Sequence, residues 1–219
     1  MKVVSLERKV LEKNQVVADR NRAVFRQHGI LAVNLLSSPG AGKTSLLELT
    51  ARMGAGGLRM GVLTGDPQTD RDGRRIAKEG VPVVQIVTAG ACHLNAAMVE
   101  KGLEELALGE LDLIIIENVG NLVCPAGYDL GERYKIVMLS TTEGEDKPLK
   151  YPRMFVVADV LIINKTDLLP HLSFDIDDAA ANALKVNPRL QVLKTSCRTS
   201  EGLDTWLEWI QARHRELPK

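Results

Sequence analysis

Cysteine is scarce in this chain. The three present in 219 residues, Cys92, Cys124 and Cys197, are an odd number and too few for a disulfide framework. They are read as free thiols or metal ligands in a reducing compartment. Net charge is missing too: 28 basic residues balance 28 acidic ones, with no basic stripe. That balance argues against nucleic acid or an anionic membrane surface as the main partner. No apolar run approaches the ~20 residues that span a bilayer. The start, MKVVSLERKV, is charged throughout and lacks the apolar core of a signal peptide. Repeats, low-complexity tracts and domain-sized linkers are absent. These absences leave a cytoplasmic chain, long enough for one α/β domain with a sizeable core. We take residues 1–219 as that single domain, with an N-terminal helix over about 6–28.

In that helix Leu6, Val10, Val17, Val24 and Phe25 recur at helical spacing among charged residues, and His28-Gly29 supplies the stop. It is expected to pack outside the sheet. Beyond it, apolar runs predict strands at 31–36, 60–64, 82–87, 111–116, 135–140, 158–163 and 190–194. Helices are expected over 44–52, 69–79, 94–108, 176–185 and 203–214, with a loop over 121–133. Strands alternate with helices, and most are continuous apolar runs. That is the pattern of a mostly parallel sheet covered on both faces, a three-layer α/β/α arrangement. In such sheets ligands sit beyond the C-terminal strand ends.

The first strand runs into Ser37-Ser38-Pro39-Gly40-Ala41-Gly42-Lys43-Thr44, which satisfies seven of the eight positions of the phosphate-binding P-loop, with Ser37 standing where the pattern has glycine. Gly40, Ala41, Gly42, Lys43, Thr44 and Ser45 are the expected phosphate cradle. Lys43 is placed to reach the β/γ-phosphates and Thr44 to bind Mg²⁺, with the helix N-terminus facing the anion. Asn164-Lys165-Thr166-Asp167 follows another strand. There a carboxylate at Asp167 accepts both the N1–H and the 2-amino hydrogens of guanine, a donor pair adenine lacks. Lys165 would cover the base and Asn164 tether neighbouring loops; Ser196 and Cys197, after the last strand, fall where GTPases contact guanine O6. Asp66 and Glu117 end strands and are the expected Mg²⁺ carboxylates. Asp66 or Asp72 is the expected orienter of the attacking water. Gly120 lies where a backbone N–H can sense the γ-phosphate. No glutamine follows it, so intrinsic hydrolysis should be slow.

Cys92-His93 and Cys124 also follow strands and so can meet at the nucleotide edge. Spacing alone admits a structural reading, a small buried thiol beside a capping histidine. Thiolate and imidazole suit Zn²⁺, Ni²⁺ or Cu rather than Mg²⁺. One chain offers three ligands, one short of a closed tetrahedral site, and Cys197 is a poor fourth. Two chains offer six, enough for one metal or for two sharing bridging thiolates. This predicts a metal at a two-fold interface, with dimerisation tied to nucleotide state.

At these residues the chain resembles the HypB GTPases of [NiFe] hydrogenase maturation. The stretches that carry the likeness are SSPGAGKTSLL (37–47), GDPQTDRDGRR (65–75), TAGACHL (88–94), IIIENVGNLVCPAGYDLGE (116–132), STTEGEDKPLKYP (140–152) and NKTDLL (164–169). The resemblance implies a P-loop GTPase of the dimerising SIMIBI type, a homodimer on GTP binding with Ni²⁺ or Zn²⁺ held by Cys92, His93 and Cys124. GTP hydrolysis to GDP would gate nickel transfer to a HypA-like metallochaperone and on to the hydrogenase large-subunit precursor. Some relatives carry N-terminal Cys-rich or His-rich tracts, whereas residues 1–30 here hold no cysteine and only His28, so a storage role is not implied. The urease-type nickel accessory GTPases carry a Cys-Pro-His motif that is absent here. A nickel-buffering scaffold with incidental GTPase activity and an ATP-dependent small-molecule kinase are the readings from other classes, and the NKTD motif argues against the kinase.

Overall fold

The computed structural model describes residues 6–66, 71–88 and 90–218. Its centre is a sheet of strands β1 (Leu31–Ser37), β2 (Met60–Asp66), β3 (Val83–Val87), β4 (Leu113–Glu117), β5 (Tyr134–Ser140), β6 (Val160–Asn164) and β7 (Gln191–Lys194). The order is β3-β2-β4-β1-β5-β6-β7, and every neighbouring pair is parallel. The helices are α1 (Leu6–Gln27), α2 (Lys43–Arg52), α3 (Arg71–Ala77), α4 (Ala96–Glu104), α5 (Lys147–Lys150), α6 (Pro152–Val156), α7 (Ile176–Val186) and α8 (Leu203–Arg215). β1, β4 and β6 are buried along their whole length. That explains why they read as unbroken apolar runs rather than alternating ones. From β1 the chain builds outward in both directions, to β4 on one side and β5 on the other. The loop after β1 therefore opens at the point where the order reverses, the usual place for a ligand crevice.

Side-chain parity splits the core. Leu31, Val33 and Leu35 of β1 join Leu46, Leu47, Ile76, Trp206 and Ile210, beneath α2, α3 and α8. On the opposite face Ala32 joins the cluster under α1 and α4, with Phe25, Val99 and Leu103. Leu36 joins the cluster with Phe155 and Ala179 under α6 and α7. The α2–α8 contact is fixed by one buried hydrogen bond, from Trp206 Nε1 to Thr50 Oγ1 at 2.9 Å.

The N-terminal helix has the predicted bounds but a different buried face. Val10 is 51 % exposed, and the buried stripe is Asn14, Ala18, Asn21 and Phe25. Both asparagines are spent on backbone: Asn14 Nδ2 donates to Asp129 O (2.7 Å), and Asn21 Nδ2 donates to Ala96 O and Leu130 O (both 2.9 Å). Gly131, at φ +94°, lets the loop lie against this helix, since a Cβ there would stand 2.6 Å from Asn21 Cβ. The helix expected over 94–108 is shorter. Asn95 caps it by accepting from Met98 N, and the chain re-forms a 3₁₀ turn at Leu108–Glu110. Of the helix expected over 69–79, Arg71–Ala77 is helical; Thr69 and Asp70 lie outside the described residues. α5 and α6 were not expected. Each is a single short turn with proline near its start. Among the described residues no helix is long and apolar enough to cross a membrane.

Candidate functional site: a phosphate loop joined to a thiol–imidazole centre

The loop after β1 closes on itself. Lys43 Nζ donates to Ser37 Oγ at 2.8 Å, and Ser37 Oγ donates to Ser38 O at 2.6 Å. The serine that replaces the pattern's first glycine thus orients the lysine. Burial pulls the Lys43 ammonium below its ordinary value, and the charge on Glu117 opposes that pull. Gly42 caps α2 at φ +107°. A Cβ there would stand 2.5 Å from Asn164 Nδ2, so position 42 admits only glycine without movement.

Glu117, at the end of β4, is 4 % exposed. It accepts from Thr44 Oγ1 at 2.9 Å and from Thr64 Oγ1 at 3.0 Å. Burial raises its carboxyl above the ordinary range, while Lys43 and the two threonines pull it back. Parity explains the contact: Glu117 shares the face of Leu113 and Ile115, the side on which α2 packs. Asp66 ends β2 in register with Val87, two residues past the Thr64–Glu117 level. Thr44, Glu117 and Asp66 are thus oxygen donors gathered at one end of the sheet, the chemistry a Mg²⁺ ion takes. Asp72, on α3, lies near enough for its charge to act on both Lys43 and Glu117. Its side chain is 40 % exposed and lies 3.7 Å from Arg75 Nη1. Ser45, in the first turn of α2, receives a long bond of 3.4 Å from Arg75 Nη2.

The base-side loops are tied to the phosphate loop. Asn164 Nδ2 donates to Ala41 O at 2.9 Å, and its Oδ1 accepts from Thr195 Oγ1 and Cys197 N, both at 3.2 Å. Lys165, at φ +66°, donates from Nζ to Gly40 O at 2.8 Å. Asp167 Oδ1 accepts from Ser196 Oγ at 2.6 Å. The Cys197 thiol belongs to this side, and burial pushes it up to about 11.

At the same edge Cys92, His93 and Cys124 bring their ligand atoms within 4.8 Å of one another. Two thiols and an imidazole at that spacing fit a zinc- or nickel-type ion. A turn places Cys92: Thr88 Oγ1 donates to Ala91 O at 2.8 Å, and Gly90 sits at φ +90°. Cys124 starts a 3₁₀ turn with Pro125 in its second position. Burial lowers the His93 imidazole, which keeps its ring neutral and available as a ligand. The neighbouring Cys124 thiol, together with burial, pushes the Cys92 thiol up. The Tyr128 ring packs against His93 at a tilt of 43°, with ring centroids 4.0 Å apart. Cys92 is exposed and Cys124 half-buried.

Sequence reading overlooked several residues that build this edge: Thr64, Asn118, Asn121 and Tyr128, and behind them Asn34, Glu132 and Lys135. One signal was available. Asn34 interrupts the apolar run of β1, and a fully buried asparagine there requires polar partners.

The fold and the paired sites define a P-loop nucleotide-binding protein with a thiol–imidazole cluster of a kind that could hold a soft metal ion. In keeping with that class, the family described as CobW/HypB/UreG, nucleotide-binding domain, matches residues 31–194. The hydrogenase maturation factor HypB of Rhizobium leguminosarum bv. viciae is 50 % identical over 210 residues, 96 % of this chain and 70 % of the relative. The probable HypB of Methanocaldococcus jannaschii is 38 % identical over 98 % of this chain and 97 % of its own. Among solved structures, HypB from Helicobacter pylori in complex with nickel superposes with a TM-score of 0.89 at 39 % identity, covering 93 % of this chain and 96 % of that one. A signal recognition particle protein from Aeropyrum pernix, in complex with GDP, shares the fold alone at 15 % identity and a TM-score of 0.59. The chain belongs to the HypB family of hydrogenase maturation factors, and the P-loop fold of that family implies nucleotide hydrolysis.

Proposed function

We propose that this chain is a GTP-hydrolysing nickel chaperone that loads or releases its metal according to the nucleotide bound. One observation carries the proposal. The Cys92–His93–Cys124 cluster, within 4.8 Å, is built on segments that leave the same strand ends as the phosphate loop. Gly120 lies on Pro39 of that loop, where a Cβ would be 3.1 Å from the proline backbone. Cys124 follows Gly120 by four residues.

In this reading Lys43 and the backbone N–H groups of 40–45 hold the phosphates. Asp167 selects guanine, with Ser196 and Cys197 beside it. Thr44, Glu117 and Asp66 would hold a Mg²⁺ ion, which would supply positive charge to the phosphates. Asp66 or Asp72 orients water. The chain lacks a glutamine after Gly120, so turnover is slow and the GTP form persists. Nickel is the cargo, with zinc as a competitor for the same donors. Three donors per chain favour a GTP-dependent homodimer that completes the coordination sphere. Delivery then proceeds to a HypA-like metallochaperone and the hydrogenase large-subunit precursor, in the cytoplasm.

The test is the double substitution Cys92→Ala with Cys124→Ala. Nickel binding, followed by competition with a chromophoric chelator, should be abolished, and GTP affinity should change less than about two-fold, since neither thiol lies among the phosphate or base contacts. Nickel bound as tightly by the double variant as by the parent would refute the assignment.

A further inference from the structure

Two segments that the proposed function must connect meet at one atom. Asn118 Oδ1 accepts from Leu94 N and from Val119 N, both at 3.0 Å. Leu94 directly follows Cys92-His93; Val119 directly precedes Gly120, which rests on the phosphate loop. Asn118 is 1 % exposed, and its amide is held from behind. Its Nδ2 donates to Asn34 Oδ1 at 3.3 Å, and Asn34 Nδ2 donates to Glu132 Oε1 at 3.0 Å. Glu132 is paired with Lys135 and accepts from Leu130 N at 2.6 Å. Asn118, Asn34 and Glu132, all buried, with the half-buried Lys135 form a seam between the apolar cluster under α1 and α4 and the one under α6 and α7. A satisfied network of this kind leaves each member a single orientation.

The far side of the turn is anchored. Leu94 is fully buried and seated on Gly65, where a Cβ would stand 2.7 Å from Leu94 Cγ. Two residues on, Ala96 N donates to Asn14 Oδ1 at 2.9 Å, and Ala96 O accepts from Asn21 Nδ2 at 2.9 Å. The turn is thus fixed at residue 96 and steered at residue 94. A shift of the β4 strand end is expressed at His93 and Cys92 and is not absorbed by α4. Asn121 closes the link: its Nδ2 donates to Cys92 O at 3.5 Å, and its Oδ1 accepts from Val123 N at 2.8 Å and Cys124 N at 3.4 Å.

We infer that Asn118 is the positioning residue through which the bound nucleotide sets the geometry of the metal centre, with Asn121 holding the two metal-bearing segments in register. The inference rests on the nucleotide-gated metal function proposed above. Both asparagines act through the ligands and touch neither metal nor phosphate.

The experiment measures Ni²⁺ affinity of the full chain loaded with GDP or with a non-hydrolysable GTP analogue, by chelator competition, alongside the nickel–thiolate absorption band. In the parent the two affinities should differ by roughly five-fold or more, the lower end of ordinary coupling. Asn118→Ala should bring the ratio below about two-fold while nucleotide affinity is kept, and the absorption bands of the two states should coincide. Asn118→Asp keeps both accepted bonds but loses the donation to Asn34, so it should bring the ratio back above the Asn118→Ala value without reaching that of the parent. A merely structural role would weaken both states alike and leave the ratio intact, so an unchanged ratio in Asn118→Ala overturns the inference. Should that variant fail to fold, Asn121→Ala, at the half-buried end of the link, decides: a ratio at least halved supports it, and a parental ratio overturns it. A parental ratio of one refutes nucleotide gating itself, and a positioning role for Asn118 with it.

Discussion

Replacing Asn164 with alanine tests whether the phosphate loop and the base loop are one rigid body. Asn164 is 1 % exposed and spends its side chain on three partners: Ala41 O, Thr195 Oγ1 and Cys197 N. Alanine leaves a carbonyl, a hydroxyl and an N–H without those bonds. At about 1 kcal/mol per bond the loss is about 3 kcal/mol, and groups left buried and unpaired raise it further, by roughly 1–3 kcal/mol each. A natural domain is stable by about 5–15 kcal/mol, so the variant should remain mostly folded at 25 °C if the parent lies in the upper part of that range. Urea unfolding followed by circular dichroism gives the stability, and titration calorimetry with GDP and GTP gives the affinities. Stability should drop by at least about 3 kcal/mol, and the affinities for GDP and GTP should fall by the same factor, because Asn164 holds the loops and contacts neither base nor γ-phosphate in the proposed site. Asp167→Asn is the contrast. Its carboxylate accepts one bond, from Ser196 Oγ, so stability should move by about 1 kcal/mol while guanine selectivity collapses. An Asn164→Ala protein within about 1 kcal/mol of the parent, or one that loses base selectivity at full stability, would refute the single-body account.

Gly42→Ala should cost about 1–2 kcal/mol for the left-handed backbone and lower nucleotide affinity at least about ten-fold by calorimetry, because its Cβ would displace Asn164 Nδ2 from 2.5 Å; in an Asn164→Ala background the steric part should vanish, making the pair less than additive. Asp112 supplies a pH test. Hydrogen bonding to Arg59 holds its carboxyl down at about 2. A depressed folded-state value gives stability that is present above the unfolded value of about 4 and is lost as pH falls toward 2. Because the Arg59 side chain is 59 % exposed, solvent screens the pair and its effect on stability should be small. Asp112→Asn should lower the thermal midpoint at pH 7 and match the parent near pH 2; an equal gap at both values would show that the pair is not the cause.

The layered architecture was legible because it is written locally. Seven apolar runs are seven strands, and the phosphate-loop and NKTD motifs are contiguous, so their residues arrive together wherever the strand ends point. Strand register is not written locally. Asn118 meets Leu94 only because the Glu117 strand ends beside the loop that carries Cys92, and Asn34 meets Lys135 only because β1 and β5 pair at that register. Nothing near Asn118 in the chain announces either contact. The N-terminal helix shows the same limit from another direction. Its period gave the bounds, but hydrophobicity chose Val10 for the core, whereas the buried face is polar in two places because Ala96, Asp129 and Leu130 present backbone groups there. The short α5 and α6 turns were missed because two and four helical residues beyond a proline leave no periodicity to detect.

The exposed Cys92 and the solvent-facing Val123 beside Cys124, 62 % exposed, place the three-donor centre at the rim of the molecule. In a single subunit three donors would leave a metal seated there with a coordination position open to the outside until a second subunit closed it. Exchange from that open form would have an associative route: an incoming donor could bind before an outgoing thiolate left, and no free aqueous ion need form. The lifetime of such a complex is set by the concentration and geometry of the acceptor more than by the equilibrium affinity of the site. A tight centre of this kind could still be a fast one, with its hand-over rate set by the acceptor that reaches it.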